Sequence, residues 1–493
     1  MSSSPVAKPS YDELAALVVR LSDALDKANG RIAELEARLG LNSDNSSKPP
    51  SSDGLAKPAP RSLRKGGQRK PGRPKGTPGA TLAQVERPDK WERHEPGRCR
   101  GCGDGLAGAP EVGMEKRQVF DIPPIKVQVT EHQLVERRCC DCGVVTKGTA
   151  PPGVTAPVQY GSRITAIIVY LYVGQFLSKD RTAQAPADLF GVPVTGGTVL
   201  SMTARAATRL DGFLARGVEQ IAAAPVAHFD ETGFRVEGKL HWVHSASTGT
   251  WSLITVHRTR GTAAMDAAGV LPAFTGVAVH DAWAPYDTYT DATHALCNAH
   301  LLRELQQVID TTPEGEWCWA EQATDALLQM KVLVEAAIEA GGLKHLDQVA
   351  LAEQARLWRS AAAIGRHDTR SRTGKLMKKH HALATRMLDR QDDYLRFTRD
   401  ELVSFDNNPA EREIRMIKLR QKVSGCLRTL AGAEQFCAIR SYLATARKHG
   451  VNFFHALTEL AEGYPWLPEA TPALALLSGT REPAGNSPLA AAA

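Results

Sequence analysis

The sequence lacks an apolar run long enough to cross a membrane. Its longest run, residues 164–177, covers about four helical turns, whereas a bilayer span requires roughly 20 residues. Arg163 and Lys179 flank this run, which predicts a buried helix. The opening residues, Met-Ser-Ser-Ser-Pro, lack the basic and then apolar order of an export signal. We therefore expect a cytoplasmic protein without a membrane partner, whose nine cysteines do not form disulfides.

Acidic residues are absent from residues 55–85, although the whole chain carries only a modest net charge of +6. The same stretch contains eight cations, namely Lys57, Arg61, Arg64, Lys65, Arg69, Lys70, Arg73 and Lys75. A segment this basic and this poor in apolar residues cannot fold alone and binds polyanions. Nucleic acid is the expected partner, with an affinity that falls steeply as the salt concentration rises.

The composition of residues 41–85 predicts a disordered basic linker, because Ser, Pro, Gly, Lys and Arg dominate it. Within it, Gly-Arg-Pro-Lys-Gly at residues 72–76 is similar to the core of an AT-hook. In such a core, cations like Arg73 and Lys75 enter the minor groove of A·T-rich DNA. A solvated linker without this contact is the alternative interpretation.

An apolar seam with alternating steps of four and three residues runs through residues 10–40. Its members are Leu14, Val18, Leu21, Leu25, Ala28, Ile32, Leu35 and Leu39. This repeat keeps one face toward a partner helix, so it predicts a coiled coil that ends at Gly40 and favours a homo-oligomer. The alternative is an amphipathic helix that packs on its own chain.

Four cysteines form two Cys-x-x-Cys pairs within residues 86–155. The pairs are separated by 36 residues and consist of Cys99, Cys102, Cys139 and Cys142. Four thiolates at this spacing are typical of a closed tetrahedral Zn²⁺ site, which stabilises the fold and does not catalyse. Alternating apolar residues at 119–122 and 127–131 predict strands that bring the pairs together, and Cys140 leaves a different pairing open.

The pattern becomes helical over residues 156–220. A helix over residues 182–190, a turn at Gly191 and a second helix over residues 196–205 resemble a helix-turn-helix, whose second helix enters a major groove. A plain helical hairpin is the alternative.

Between residues 221 and 310 the apolar period changes to two. The predicted order is strands at 226–236, 240–246 and 250–257, a helix at 261–271, and strands at 276–279 and 294–298. This order is typical of a ribonuclease H-like mixed sheet. Asp230 lies on its first strand, and Asp281 follows its fourth.

A third acid, Glu411, follows in the catalytic segment of residues 405–460. With Asn408 as N-cap and Pro409 at the first helical position, Glu411 is third, where a capping box is its alternative role. Steps of four, three and four place a row of cations on the same helical face: Arg415, Lys418 and Lys422. Such a face suits a metal-bound phosphate and the DNA backbone.

The joint placement of the three acids indicates a catalytic role more strongly than any one of them alone. If the strands lie side by side and the helix crosses them, Asp230, Asp281 and Glu411 converge and can hold two divalent cations about 4 Å apart for phosphoryl transfer. The neighbouring acids Glu231 and Glu413 are possible substitutes.

The 129 residues between Asp281 and Glu411 indicate an inserted helical domain at residues 311–404. Its basic residues either contact DNA or form a solvated helical face: Arg366, Arg370, Arg372, Lys375, Lys378, Lys379, His380 and His381. Just before it, Cys297 and His300 suggest a metal pair, but two ligands make an incomplete site. We therefore expect them to be structural or to position DNA, with Arg303 as a candidate phosphate contact.

Four motifs together resemble the catalytic domain of IS66-family insertion-sequence transposases. They are Asp-Glu-Thr at 230–232, His-Asp-Ala-Trp at 280–283, Cys-Asn-Ala-His-Leu-Leu-Arg at 297–303 and Asp-Asn-Asn-Pro-Ala-Glu-Arg at 406–412. The segment Asn-Ser-x-Asn-Ser-Ser-Lys-Pro-Pro-Ser-Ser-Asp from Asn42 is also similar to that family. Where the family reads Asp-Gly-Tyr, this chain has Asp281-Ala282-Trp283, with Tyr286 nearby.

The resemblance implies a DDE transposase in which Asp230, Asp281 and Glu411 bind two catalytic Mg²⁺ ions. It implies cleavage at the element ends and strand transfer into a target, with double-stranded DNA and small accessory proteins as partners. Such a protein would associate with the nucleoid. Two alternatives remain: a nuclease of the same fold that cuts without joining, and an inactive transposase-derived DNA-binding regulator.

We therefore predict a multidomain α+β fold. Its parts are a coiled coil (10–40), a basic linker (41–85), a zinc-knuckle domain (86–155), a helical DNA-binding region (156–220), a ribonuclease H-like catalytic core (221–310 and 405–460) with a helical insertion (311–404), and a tail (461–493).

Overall fold

The computed structural model describes residues 10–42, 45–46, 82–313, 315–371 and 374–469. Most of the predicted linker, including Arg73 and Lys75, lies outside these ranges, as do Arg372 and the tail beyond residue 469. No helix within the ranges combines the length and the hydropathy needed to cross a bilayer.

The N-terminal helix, α1, spans Tyr11–Leu39 and ends at Gly40, as predicted. A capping box starts it: the Ser10 hydroxyl accepts the Glu13 N–H at 3.3 Å, and the Glu13 carboxylate accepts the Ser10 N–H at 2.8 Å. The apolar seam faces solvent, with Val18 65% exposed. Pairing of this seam with a second copy stays a prediction.

The segment around the cysteine pairs contains two short strands, β1 (Glu136–Arg138) and β2 (Val145–Lys147), which pair antiparallel. The strands predicted at residues 119–122 and 127–131 are wrong, because neither segment forms one. Val119 is 91% exposed. The alternating pattern there has neither a partner strand to complete its hydrogen bonds nor a core to cover its apolar face.

The helical region consists of α2 (Ser162–Val169), α3 (Lys179–Phe190), α4 (Gly196–Thr208) and α5 (Asp211–Ala222). A π-helical turn, Tyr170–Gly174, extends α2, and this apolar segment is largely buried as predicted. Gly191 ends α3 at φ 65°, a conformation that favours glycine, and Thr195 caps α4. The predicted helix pair is confirmed, while its contact with DNA stays a prediction.

A five-stranded mixed sheet follows. Its elements are β3 (Val226–Val236), β4 (Lys239–Ser247), β5 (Ser252–His257), helix α6 (Thr262–Ala268), β6 (Val277–His280) and β7 (Thr293–Leu296). The strand order is β5-β4-β3-β6-β7, in which β3, β6 and β7 are parallel and β4 is antiparallel to both neighbours. Each predicted strand of this region is confirmed to within two residues at either end.

The register of β3 against β6 explains why two of the acids meet. His228 lies opposite Val279 in the parallel pair, so two residues further along Asp230 is level with Asp281, which follows the last residue of β6. Asp230 lies within β3 and not at its end, because β3 continues past β6 as the partner of β4, where Asp230 pairs with Ser245.

The rest of the described chain is helical. It comprises α7 (Asn298–Asp310), α8 (Trp319–Glu339), α9 (Gln348–Thr369), α10 (Lys375–Asp389), α11 (Gln391–Tyr394), α12 (Asn408–Ser424), α13 (Leu430–Lys448) and α14 (Phe453–Glu462). The predicted insertion is confirmed as helical. Asn45, just after α1, donates its side-chain N–H to the Asp310 carboxylate at 2.9 Å and so joins the N-terminal segment to the end of α7.

Two hydrophobic cores lie on opposite faces of the sheet, because Ala278 enters one and the next residue of β6, Val279, enters the other. The first core contains residues of α2, α4, α5, α13 and α14. The second contains residues of α7, α8, α9 and α10. Both the helical region and the insertion thus share a core with the sheet, and the division of the chain into the predicted domains stays a prediction.

Buried histidines make the stability of the folded protein sensitive to acid pH. Burial lowers the pKa of His228 and His244 to about 4 and that of His280 to about 3. Below pH about 6.5 the unfolded chain binds protons that the folded chain does not, so stability is lost as the pH falls from about 6.5 to about 4. We expect the melting temperature to decrease over this window.

The acid sensitivity is measured by thermal unfolding at pH 7 and pH 5. His244→Gln should reduce the difference between the two melting temperatures, whereas replacing the exposed His94 with Gln should not. An equal difference in all three proteins would contradict the assignment.

Candidate active site

Asp230 is surrounded by negative charge. Its Oδ1 accepts the Glu231 N–H at 2.9 Å. Burial holds the pKa of Asp230 well above its usual range, and the carboxylates of Glu231, Glu411 and Asp281 raise it further. The three predicted acids are therefore close enough to interact electrostatically, although their oxygens do not all lie within 4.8 Å of one another.

The close approach of these carboxylates tests whether they fit the predicted cation site. Like charges that share a buried pocket raise one another's pKa unless a counterion is present. An all-oxygen donor set of this kind is the one that Mg²⁺ prefers. The donor chemistry of Asp230, Asp281 and Glu411 thus fits Mg²⁺, and a bound cation would relieve their repulsion.

The turn after β6 orients Asp281. Its Oδ1 accepts the Trp283 N–H at 3.0 Å, which fixes the carboxylate against its own loop. The preceding residue, His280, is buried and stacks on Tyr286 with ring centroids 4.4 Å apart. The position of Asp281 is thus set by both the sheet register and this packed loop.

Glu411 is not a helix cap, and the capping alternative is wrong. The N-cap of α12 is Asn407 and not Asn408, so Glu411 is the fourth helical residue and no capping box forms. Instead, Glu411 Oε2 accepts a hydrogen bond from Arg415 at 3.0 Å, and Oε1 lies 3.8 Å from His300 Nδ1. The carboxylate is directed to the neighbouring side chains and not to the helix backbone.

Asn407 holds the start of α12 against the sheet. Its Nδ2 donates to the Phe229 carbonyl at 2.6 Å, its Oδ1 lies 3.1 Å from His228 Nδ1, and its N–H donates to Cys297 Sγ at 3.2 Å. Because the side chain is used on β3, it cannot cap the helix. These contacts position Glu411, four residues on, beside Asp230.

Replacing Asn407 with Ala should destabilise the protein, because it leaves the buried Phe229 carbonyl and the His228 ring without partners. The expected loss is at least about 2 kcal/mol in the free energy of unfolding. The adjacent Asn408 donates its side-chain N–H to Asp406 at 2.6 Å, so Asn408→Ala should cost about 1 kcal/mol or less. Denaturant unfolding measures both, and equal losses would contradict the assigned role of Asn407.

The two acids considered as substitutes are held in ion pairs. Arg260 binds Glu231 Oε1 at 2.9 and 2.6 Å, and Tyr286 donates to its Oε2 at 2.6 Å. Glu413 is buried and binds Arg447 at 2.7 Å. These bonds hold Glu231 by both oxygens and Glu413 by Oε1, while Glu413 Oε2 is buried without a hydrogen-bond partner among the described residues. We therefore keep Asp230 and Glu411 as the candidate ligands of their motifs.

An Arg–aromatic cluster beside Asp281 was not anticipated from the sequence. The guanidinium of Arg260 lies over the rings of Trp283, at 3.9 Å, and Trp242, at 4.8 Å, while it binds Glu231. The signal for it was the Trp283 that replaces the family's Tyr. Tyr286 and Arg260 thus bind Glu231, and Trp283 packs on Arg260 and Tyr286 in the loop after Asp281.

The predicted DNA-contacting cations differ in their surroundings. Arg415 is exposed and pairs with Glu411, and Lys422 is exposed on the same helix. Lys418 is half-buried and donates to the Gly233 carbonyl at 2.7 Å, and burial lowers its pKa. It ties α12 to β3. Arg303 is half-buried on α7, and DNA contact by these four side chains stays a prediction.

The two cysteine pairs have the same local geometry. Cys99 N–H donates to the Asp104 carbonyl at 2.8 Å, and Cys139 N–H donates to the Val144 carbonyl at 2.9 Å. The N–H of the second cysteine of each pair, Cys102 or Cys142, lowers the pKa of the first.

These turns orient each pair of sulfurs for a metal. The structure does not bring three of the four sulfurs within 4.8 Å of one another, so the joint site of Cys99, Cys102, Cys139 and Cys142 stays a prediction. Cys140 is exposed.

Models of known protein families match three parts of the chain. The Transposase IS66 family model matches residues 157–435, more than half of the chain. The zinc-finger binding domain of transposase IS66 matches residues 96–143, which supports structural zinc, and a family of unknown function (DUF6444) matches residues 3–83. No curated protein matches the chain. The first of these matches covers more than half of the chain and the second supports it, so the chain belongs to the IS66 transposase family.

Proposed function

We propose that this protein is a DDE transposase whose catalytic acids are Asp230, Asp281 and Glu411. The observation that carries the proposal is geometric: the β3–β6 register sets Asp230 level with Asp281, and both Asp281 and Glu411 lie close enough to Asp230 to raise its pKa. Three acids that are far apart in sequence would not interact in this way unless the fold brought them to one place. Two Mg²⁺ ions held there would activate the attacking water or 3′-hydroxyl and stabilise the departing 3′-oxygen.

The strand order supports a ribonuclease H-like catalytic core. Three antiparallel strands, β3 to β5, are followed by α6 and then by two strands parallel to β3, and the acids lie on the central strand, after its neighbour and on a crossing helix. This arrangement is the one expected from the sequence for that fold.

The chain's own residues have distinct roles in this proposal. Asn407 and Lys418 hold α12 on β3 and so keep Glu411 beside Asp230. Arg415 balances the charge of Glu411 and, when DNA approaches, can turn toward a phosphate, because its side chain is 61% exposed. Lys422 extends this cationic face along the helix.

The expected partners follow from the same proposal. Double-stranded DNA of the element ends and of the target would lie along the cationic face of α12, with Arg303 as a further contact. The exposed seam of α1 would pair two copies so that two ends are held together. Accessory proteins of the same element and association with the nucleoid are further expectations from the family.

A strand-transfer assay with Mg²⁺ tests the proposal. The substrate is DNA that carries the terminal repeats flanking the gene, mixed with a target plasmid. Joined products are expected from the wild-type protein. Cleavage without joining would favour the nuclease, and DNA binding without either reaction would favour the inactive regulator.

A further inference from the structure

Three side chains of different chemistry meet beside the candidate acids. Cys297 is the N-cap residue of α7, His300 is its third residue, and Glu411 lies in the first turn of α12. The Cys297 sulfur, a His300 ring nitrogen and a Glu411 carboxylate oxygen all lie within 4.8 Å of one another. In the sequence Cys297 and His300 form an incomplete pair, and the fold adds a third donor.

His300 has unused coordination capacity. Its Nδ1 is buried and has no hydrogen-bond partner among the described residues. The nearest carboxylate oxygen, Glu411 Oε1, lies 3.8 Å away, which is beyond hydrogen-bonding distance. An unpaired buried polar atom is unfavourable, and a cation between the two would satisfy both.

The sulfur is held in position from two sides. Cys297 Sγ accepts the Asn407 N–H at 3.2 Å, and Cys297 N–H donates to the His280 carbonyl at 2.9 Å. A bound cation would displace the thiol proton, because a cysteine ligand is deprotonated.

A second cluster does not have this capacity. His280, Asp287 and His294 also lie within 4.8 Å of one another. However, the two imidazoles hydrogen-bond each other at 2.9 Å, and Arg390 binds Asp287 at 2.9 Å. Their ligand atoms already have partners, so this cluster joins the insertion to the sheet and carries no metal proposal.

We propose that Cys297, His300 and Glu411 form a separate metal site that selects thiophilic divalent ions of the Zn²⁺ class over Mg²⁺. One sulfur, one imidazole and one carboxylate match a three-ligand zinc site with an open fourth position. Magnesium requires oxygen ligands and gains nothing from the other two. Glu411 belongs to both sites, so, resting on the proposed function, a thiophilic ion withdraws it from the Mg²⁺ site and inhibits DNA joining.

Cobalt titration tests the site without reference to DNA chemistry. Full-length protein with zinc in its finger is titrated with Co²⁺, and the sulfur-to-cobalt charge-transfer band is recorded. We expect one further equivalent of Co²⁺ with this band, its loss in Cys297→Ser, and an affinity at least about 10-fold weaker in His300→Gln. Replacing Cys437, a buried thiol on α13, with Ser should leave the band intact.

His300→Gln keeps the test decisive if Cys297→Ser does not fold, because His300 Nδ1 makes no hydrogen bond that the change would remove. A band that survives Cys297→Ser, or no extra Co²⁺ in the wild type, would overturn the proposal. Circular dichroism of each variant confirms that it is folded.

The inhibitory consequence is tested by adding Zn²⁺ to the Mg²⁺-dependent joining reaction. The concentration that halves each protein's own rate should rise at least about 10-fold in His300→Gln relative to the wild type. Equal Zn²⁺ sensitivity would overturn the shared role of Glu411. If no joining is seen at all, the proposed function fails, while the cobalt titration still decides the metal site.

Discussion

Asp230→Asn is expected to reduce DNA joining by on the order of a thousandfold or more, which corresponds to the several kcal/mol that bound metal ions contribute to such a transition state. Asn has the same size and can still accept the Glu231 N–H, so the change removes charge and little else. Glu411→Gln should have a comparable effect. A strand-transfer assay on the terminal-repeat DNA measures both.

Asp230→Asn should not be less stable than the wild type in the absence of metal. Because Asp230 is buried among like charges, neutralising it removes repulsion, and its melting temperature should stay constant or rise by a few degrees. Glu434→Gln, which neutralises an exposed acid on α13, should leave joining unchanged. Joining by Asp230→Asn within about tenfold of the wild type would falsify its role as a ligand.

Loss of zinc is expected to unfold the segment of residues 96–143. This segment has little core of its own, since Val112 is 100% exposed and Val119 91% exposed. Structural zinc in comparable small domains contributes about 10–16 kcal/mol, more than the whole stability of many domains. Cys99→Ser should therefore lower the zinc content by one ion per chain and make the segment sensitive to protease.

Zinc content by atomic absorption and limited proteolysis check this expectation. Cys426→Ser, which replaces an exposed cysteine outside the finger, is the matched control and should keep its zinc. Cys140→Ser separates the two pairings: retained zinc supports Cys139 and Cys142 as the second pair, and lost zinc would assign Cys140 as a ligand.

The sheet could be predicted from sequence because its signals are local. Each strand from β3 to β7 has its own alternating or apolar run, and the turn residues lie between them. The pairing that sets Asp230 level with Asp281 follows from the ribonuclease H-like order of the strands, which the local pattern predicted. The sequence thus predicted which acids meet, though not their contacts.

The start of α12 could not be predicted, because Asn407 and Asn408 are both good N-cap residues. The choice is made by contacts with His228 and Phe229, which are 179 and 178 residues away along the chain, respectively. In the zinc segment, by contrast, a local pattern predicted strands that do not form. Its alternation at 119–122 is a true strand pattern, but no strand among the described residues pairs with it.

The third ligand beside Cys297 and His300 also could not be predicted from the local sequence. Glu411 joins them only because α7 and α12 begin at the same edge of the sheet. A Cys-x-x-His spacing fixes two donors on one helical turn, while the third depends on the whole intervening fold.

The core that lies behind β6 and β7 limits how this enzyme can be shortened. Residues 311–404 interrupt the catalytic segment in sequence, yet Trp319 and Trp358 of that stretch share a core with Val279, Leu296 and Leu305. A deletion mutant that rejoins α7 directly to α12 would leave those three side chains in water. A fragment that keeps this fold must therefore retain the insertion.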